Sequence, residues 1–393
     1  MVSISASTKL WAFAMAEQFE LRGLLDELIT TYAYSKNTTA RRFIRRTDRE
    51  NIPPEKIRTN IYLAVLIGKF RSFPHIWNEV FDRWAATKLK PGPGRVFIGW
   101  SGMSLHSIKR AKKLGMICIL ERGSSHILVQ NKILQEEFDL FNKKFSIHPS
   151  VIKKELLEYQ AADYISVPSS FVRNSFISQG VSEAKIFVNP FGAGESFVHK
   201  IRTRRDPDAK FTIVYMGTLS IRKGLLYFFR ALEILNIPES DYDVLFLGSV
   251  ESEIQSTIEK YRKPNWKFMG HVDHYSLPDW LVNCDIGVQP SLEEGLSMVI
   301  PQMMACGVPV IVTPNTGGEN IIQNNQNGFV VPVRDPQAIA DKLEWAYSNP
   351  RELQEMKNNV TESILSDFTW EAYGERYSRF LKTIMQKKTV ASA

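Results

Sequence analysis

The sequence has few cysteines and no long hydrophobic run, and both absences limit what the protein can be. Its 393 residues include three cysteines, Cys118, Cys284 and Cys306, without the close spacing of a metal site. They fall in apolar stretches, so we expect buried, reduced residues of a cytoplasmic protein. No apolar run approaches the ~20 residues that span a bilayer. Residues 10–16 are apolar but short, and acidic residues follow, so no secretory signal is expected.

Repeats, low-complexity segments and nucleic-acid-binding signatures are also missing. The net charge is +7, but no zinc-finger spacing, aromatic-glycine RNA pattern or basic zipper accompanies it. We therefore expect no nucleic-acid partner. Hydrophobic residues make up 44% of the chain and charged residues 23%, which indicates a soluble globular protein rather than a disordered one. The length suits two domains of ordinary size.

Positive charge is concentrated in the first half of the chain. Residues 1–200 carry 29 Lys and Arg against 18 Asp and Glu, whereas residues 201–393 carry 20 against 24. Two basic clusters stand out: Arg41, Arg42, Arg45 and Arg46, and Lys109, Arg110, Lys112 and Lys113. They are either solvated helix faces or a surface for an anionic membrane or a pyrophosphate-linked lipid, where each cation adds ~1 kcal/mol of attraction. The second reading predicts a peripheral position on the inner face of the cell membrane.

Strand and helix patterns alternate along the chain, which predicts parallel sheets covered by helices. A Gly-, Arg- and Asp-rich stretch at residues 192–208 interrupts the alternation and suits a linker between domains. The fold class is therefore α/β, with two doubly wound domains. Strands are predicted at residues 96–99, 116–120, 164–167 and 185–188 before the linker, and at 211–215, 244–247, 266–269, 284–289, 308–312 and 329–331 after it.

The most informative segment is PSLEEGLSMVIPQMMACGVPVIVTPNTGG, at residues 290–318. An apolar strand precedes it, a short helix is predicted over residues 297–306, and a buried strand over 308–312. Glu294 thus lies at the carboxyl end of a strand and just before a helix. Ligands bind at this place in open α/β sheets, and the free N–H groups of a helix N-terminus attract an anion or a hydroxyl.

This segment resembles the donor-site signature of retaining glycosyltransferases of the GT-B fold, family 4 (glycosyl transferases group 1). Glu294 matches the first acidic residue of that signature, and ACGVPVI at residues 305–311 matches its end. Gln302 stands where the family has a second Glu. The resemblance implies two Rossmann-like domains facing a central cleft. Residues 1–195 would bind the acceptor and residues 196–369 the donor, with a last helix over about 370–393 crossing back to the first domain.

A second motif, MGTLSIRKGL at residues 216–225, resembles the family's G-R-x-x-x-x-K-G loop, whose Arg and Lys bind the donor pyrophosphate. Lys223 and Gly224 match. Thr218, directly after the first glycine, Gly217, replaces the usual Arg, so we expect Arg222 to take over its role. Cations beside a leaving diphosphate lower the barrier to its departure. We therefore expect no metal and no cofactor besides the donor, a UDP- or GDP-sugar.

The resemblance also implies roles for the residues around Glu294. Glu294 would contact the donor sugar and stabilise positive charge at its anomeric carbon. Gln302 would accept one hydrogen bond from a ribose hydroxyl through its amide oxygen, without a charge. Further donor contacts are expected from Gly295, from the backbone amides of Leu296, Ser297 and Met298, and, near the base, from His271 and Val272.

The acceptor side is expected around the strand ends of the first half. Arg122 matches the position of a family histidine, and we count it among the catalytic residues with Glu294, Lys223 and Arg222. It either binds an anionic group of a substrate or pairs with Glu121 to shape its loop. Trp100 either stacks on an acceptor sugar or closes the domain interface. The other acceptor candidates are Ser101, Gly102 and His126.

The expected activity is transfer of a hexose, with retention, to a glycan or lipid-linked saccharide in cell-surface polysaccharide synthesis. The resemblance implies attack on the front face of the sugar, without a covalent glycosyl-enzyme. Two alternatives stay open. One is an epimerase or phosphorylase on the same fold. The other is a nucleotide-binding scaffold with weakened catalysis, which Thr218 and Gln302 favour.

Overall fold

A computed structural model describes residues 1–8, 11–31, 51–69, 74–92, 94–198 and 209–392. The basic cluster of Arg41, Arg42, Arg45 and Arg46 lies outside these residues. So do residues 199–208 of the predicted linker.

In the described part of the chain, seven parallel strands form the first sheet in the order β3-β2-β1-β4-β5-β6-β7. They are β1 (Val2–Ala6), β2 (Leu25–Thr30), β3 (Ile57–Thr59), β4 (Val96–Trp100), β5 (Ile117–Glu121), β6 (Tyr164–Val167) and β7 (Ile186–Val188). The helices of this part are α1 (Ala12–Leu21), α2 (Ile61–Lys69), α3 (Pro74–Ala86), α4 (Leu105–Lys113), α5 (Ile127–Leu140), α6 (Pro149–Ala161), α7 (Ser170–Ile177) and α8 (Glu195–Val198).

Six further parallel strands form the second sheet in the order β10-β9-β8-β11-β12-β13. They are β8 (Phe211–Met216), β9 (Tyr242–Leu247), β10 (Trp266–Gly270), β11 (Ile286–Gln289), β12 (Val310–Val312) and β13 (Gly328–Val330). The helices that follow are α9 (Leu225–Ile234), α10 (Gln255–Tyr261), α11 (Leu277–Leu281), α12 (Val299–Ala305), α13 (Pro336–Ser348), α14 (Pro350–Asp367) and α15 (Trp370–Ser392). The two doubly wound α/β units expected from the sequence are therefore present.

The strand order of each sheet reverses once, and this reversal fixes where a ligand can bind. In the first sheet the reversal lies between β1 and β4, and in the second between β8 and β11. The loops at the carboxyl ends of these strands diverge and leave a crevice. β1, β4, β5, β11 and β12 are buried along their whole length, as strands covered on both faces must be. Both crevices are therefore formed at the ends of buried strands.

The sequence does not predict β1, β2 or β3, although β1 lies in the middle of the first sheet. Its alternating serines look like the polar face of a half-exposed strand. Ser3 and Ser5 are nevertheless buried, and the Ser3 hydroxyl donates to Asp26 at 3.2 Å. Small polar residues therefore fill a central strand that the hydrophobic pattern alone does not reveal.

The last helix, α15, returns to the first sheet. Phe380 stacks on Phe187 with ring centroids 4.0 Å apart, and the Tyr377 hydroxyl donates to Glu121 Oε1 at 2.7 Å. The domain boundaries at residues 195 and 369 stay a prediction. All three cysteines are buried. Within the described ranges, no helix combines the length and the apolar character needed to cross a membrane.

Candidate functional site

Two loops meet at the reversal point of the second sheet, one after β8 and one after β11. Gly224 in the first loop has φ +70°, and a Cβ on it would lie 2.0 Å from the carbonyl oxygen of Pro290 in the second. Only glycine fits both this conformation and this close approach. The sequence pattern Lys223-Gly224 therefore has a structural reason, because it lets the two loops touch.

The contact between the loops brings a basic pair of residues against an acidic pair. Lys223 Nζ lies 2.5 Å from Glu294 Oε1, and Arg222 Nη2 lies 2.9 Å from Glu293 Oε2. β8 and β11 are neighbouring parallel strands, so the loops that follow them leave the sheet side by side. Two positive and two negative charges thus lie together at this edge of the second sheet.

Glu294 is ionised at neutral pH despite its burial. Burial by itself raises the pKa of this carboxyl group, but the positive charges of Lys223 and Arg222 outweigh it and hold the pKa below its usual value. Burial, with a smaller contribution from this carboxylate, raises the pKa of the Tyr215 hydroxyl on β8. Glu294 can therefore present a fixed negative charge to a ligand at this strand end.

Arg222 lies in the loop between β8 and α9, residues 217–224, which we call the donor loop after the motif that it resembles. It is engaged by a residue that the sequence analysis missed. Glu293 is fully buried, and its carbonyl oxygen accepts a 2.8 Å hydrogen bond from Arg222 Nε. Arg222 also donates to Ser124 Oγ of the first domain at 3.3 Å. The acidic pair Glu293-Glu294 is visible in the sequence, but only one of its members matches a motif.

Two further residues of the donor loop, and Ser297 in the loop after β11, are placed as follows. Gly217 has φ +117°, and the carbonyl oxygen of Thr218 accepts a 3.0 Å hydrogen bond from the Tyr215 hydroxyl. The backbone N–H of Ser297 donates to Thr316 O at 3.0 Å. The expectation that this amide faces the nucleotide-sugar is therefore wrong. The buried hydroxyl of Ser297, in contrast, has no hydrogen-bond partner within the described residues.

The remaining donor candidates lie on three elements. Leu296 is buried, and Met298 is the residue before α12. Gln302 lies on α12 and is 8% exposed. His271 is exposed, and Val272 is half-buried, directly after the edge strand β10.

On the first domain, Arg122 is buried and pairs with a residue that the sequence did not suggest. Its Nη1 lies 2.7 Å from Glu155 Oε2, and it donates to Ser101 Oγ at 3.1 Å. The predicted alternative, an ion pair with Glu121, is wrong. Glu121 instead accepts hydrogen bonds from Trp11 at 2.8 Å and from Tyr377, and burial raises its pKa to about 7.

Trp100 and His126 are structural residues in this conformation. Trp100 is 2% exposed and packs on Trp11 with ring centroids 5.4 Å apart, so it offers no face to an acceptor sugar. His126 caps α5 by accepting from Leu128 N, and burial lowers its pKa to about 4. It is therefore neutral and enclosed rather than exposed to an acceptor.

Gly102 also differs from its expected role. Its N–H donates to Glu158 Oε2 at 2.5 Å, and Ser104 N donates to the other oxygen of the same carboxyl group at 2.7 Å. Burial raises the pKa of Glu158 to about 8. The amides after β4 therefore hold a buried side chain of their own domain.

The two domains touch directly at the site. A Cβ on Gly295 would lie 1.8 Å from the carbonyl oxygen of Gly123, and Ser169 Oγ donates to Gly295 O at 2.5 Å. The glycine after Glu294 is thus required by close contact with the opposite domain. The cleft implied by the resemblance is closed at this point.

Glu79, Asp82 and His106 form the one cluster of metal-type ligands in the described part of the chain. Lys154 Nζ lies 2.8 Å from Glu79 and 3.0 Å from Asp82, and Asp82 also accepts from the backbone N–H groups of His106 and Ser107. An ammonium group already supplies positive charge to these carboxylates. The cluster joins α3, α4 and α6 and lies outside the two loops described above.

Part of the chain matches a known protein family, and curated proteins resemble it in sequence. Residues 199–363 match the family described as glycosyl transferases group 1. The capsular polysaccharide biosynthesis glycosyltransferase CapM of Staphylococcus aureus is 26% identical over 265 residues, which are 61% of this chain and 67% of CapM. Further curated relatives are matched over 53% and 62% of their length, so the chain spans about half to two thirds of these relatives.

Solved structures resemble the chain over almost its whole length. Sucrose-phosphate synthase from Thermosynechococcus elongatus has a TM-score of 0.70 at 16% identity, covering 98% of this chain and 99% of that one. Alr3699/HepE from Anabaena, in complex with UDP, has a TM-score of 0.65 at 13% identity, covering 97% and 99%. These findings confirm the predicted GT-B fold and the resemblance to glycosyl transferases group 1.

Proposed function

We propose that this chain, whose residues 199–363 match the glycosyl transferases group 1 family, transfers a hexose from a nucleotide-sugar to a saccharide acceptor. The observation that carries the proposal is the pair Lys223–Glu294 at the reversal point of the second sheet. A cation for a diphosphate and an anion for a developing positive charge lie side by side there. The relative CapM is named for capsular polysaccharide biosynthesis, which supports an acceptor of that class.

The donor that we propose is a UDP-sugar, with a GDP-sugar as the alternative. Alr3699/HepE has been solved with UDP and with UDP-glucose.

Lys223, Arg222 and Glu294 have separate roles in the proposed reaction. As the anomeric C–O bond breaks, its electron pair moves to the diphosphate oxygen, where Lys223 and Arg222 stabilise the negative charge. Glu294 stabilises the positive charge at the anomeric carbon. The acceptor hydroxyl attacks from the face that the diphosphate leaves and transfers its proton to a diphosphate oxygen. The configuration is therefore retained without a covalent intermediate.

Thermal denaturation with UDP, GDP, ADP and their sugar conjugates tests this function. A ligand at 100 times its dissociation constant adds ~2.7 kcal/mol of stability. We expect a selective rise in Tm with UDP and with one UDP-sugar, followed by release of UDP when an acceptor is supplied. Binding without any consumption of donor would favour the scaffold alternative. No rise with any nucleotide would contradict the proposal.

We further propose that the basic face of α4 holds the protein at an anionic membrane, in the cytoplasm. Lys109, Arg110, Lys112 and Lys113 are all exposed on this helix. Reversing all four to Glu should abolish association with vesicles that contain anionic lipid. Reversing Arg230, Lys260, Arg262 and Arg351, which are exposed on the second domain, should leave it unchanged. Association that does not fall as salt rises would contradict this proposal.

A further inference from the structure

Two buried glutamates hold the domains together, and only one of them also holds a residue of the donor loop. Glu293 of the second domain and Glu137 of the first are both fully buried. A buried carboxylate is stable only when it is paired and hydrogen-bonded. Each of these two finds partners in the opposite domain, so each stabilises the closed arrangement.

Glu293 connects three segments through its two carboxylate oxygens. Oε1 accepts from the N–H and the hydroxyl of Ser125, at 2.9 and 2.7 Å. Oε2 accepts from Gln130 Nε2 at 3.1 Å and pairs with Arg222 Nη2 at 2.9 Å. The start of α5 in the first domain is thereby tied to the loop after β8 in the second.

The first-domain partners of Glu293 are themselves held by an arginine. Arg122 donates to Ser125 O at 2.9 Å and to Gln130 Oε1 at 2.8 Å. Because Arg122 pairs with Glu155, charges of alternating sign run from the first domain to Arg222. Movement of the first domain therefore changes what holds Arg222.

Glu137 makes the second connection without touching the donor loop. It accepts from the Tyr227 hydroxyl and from Arg334 Nε, both at 2.8 Å. Gln130 and Glu137 are seven residues apart, so they lie on one face of α5. This face of α5 is held at two points, and only the point at Gln130 reaches Arg222.

We propose that Glu293 is a positioning residue, which fixes Arg222 for the donor diphosphate when the cleft closes. Arg222 uses Nε and Nη2 on Glu293 and Ser124, whereas its Nη1 meets no acceptor within the described part of the chain. A guanidinium held along one edge presents its other nitrogen in a fixed direction. The inference deepens the proposed function and rests on it for the identity of the ligand.

The substitution Glu293→Gln tests the inference with little change of volume. The amide oxygen can still accept from Ser125, but the amide nitrogen then faces two donors, Arg222 Nη2 and Gln130 Nε2. Glu137→Gln is the matched control, since it weakens the other connection between the domains and leaves Arg222 untouched. The readouts are kcat and KM for the donor.

The distance between the two domains can be measured whether or not the protein is active. Spin labels at Lys153→Cys and Ser256→Cys, both exposed, report it in each variant. The three native cysteines are buried. Both Glu→Gln variants should broaden the distance distribution. Only Glu293→Gln should lower kcat, by about tenfold or more, while Glu137→Gln stays within about threefold of the wild type.

A double mutant separates positioning of Arg222 from a general structural effect. If Glu293 acts through Arg222, Glu293→Gln lowers kcat no further in a protein that already carries Arg222→Gln. Additive losses, or a wild-type kcat for Glu293→Gln, would overturn the inference. If the wild type binds no nucleotide, the proposed function fails. In that case the distance between the spin labels tests the inference. If Glu293→Gln has the same distance distribution as the wild type, the inference is overturned.

Discussion

Replacing Glu294 by glutamine is expected to lower kcat for sugar transfer by about 10²–10³-fold. The carboxylate is ionised, because Lys223 and Arg222 hold its pKa below the usual value against the effect of burial. Glutamine keeps the shape of the side chain but removes the charge that stabilises the anomeric carbon. UDP affinity should stay the same or rise, since Lys223 no longer has a carboxylate at 2.5 Å.

The measurement is UDP release under saturating donor, with UDP affinity determined by calorimetry. Glu355→Gln, the same substitution at an exposed site on α14, serves as the control and should behave like the wild type. A kcat within threefold of the wild type would show that the charge of Glu294 has no part in the reaction. A glycosyl adduct in the intact mass of the wild type, absent from Glu294→Gln, would show that Glu294 acts as a nucleophile.

Replacing Lys223 by alanine is expected to weaken UDP binding by about 10–100-fold, because a charged hydrogen bond to the diphosphate is lost. It should also lower Tm, since Glu294 then keeps a buried charge without its nearest cation. The double variant Lys223→Ala with Glu294→Gln removes that stranded charge. It should therefore regain most of the lost Tm without regaining affinity for UDP.

This double variant distinguishes a binding residue from a merely structural one. If Lys223 only supported the fold, affinity and Tm would recover together. Lys260→Ala, at an exposed position on α10, controls for the general loss of one positive charge. Lys223→Arg should keep part of the affinity, as it keeps the charge in a different shape.

The fold class was predictable from the sequence, and so was the position of the Glu294 segment at a strand end. The roles of its residues toward a donor stay predictions. Fully apolar strands separated by helical patterns predict buried parallel sheets, and the segment with Glu294 falls at a strand end by local pattern alone. The prediction fails where a central strand carries small polar residues, as β1 does with Ser3 and Ser5. It also fails for the acceptor side. Whether Trp100 and His126 are exposed depends on what packs against them.

The sequence alone determined which residues stand at the strand ends, because hydrophobic period and turn residues are local properties. It placed Lys223 and Glu294 at neighbouring loops without showing their contact. Tertiary structure alone decided the partner of each charge. Glu293 pairs with Arg222 and receives Ser125, Arg122 turns to Glu155 rather than to Glu121, and Glu137 meets Arg334. These pairs join residues from 33 to 197 positions apart, which no local pattern records. Glu293 with Ser125 and Glu137 with Arg334 depend on the approach of the two domains, whereas Arg122 with Glu155 and Arg222 with Glu293 depend on how distant segments pack within one domain.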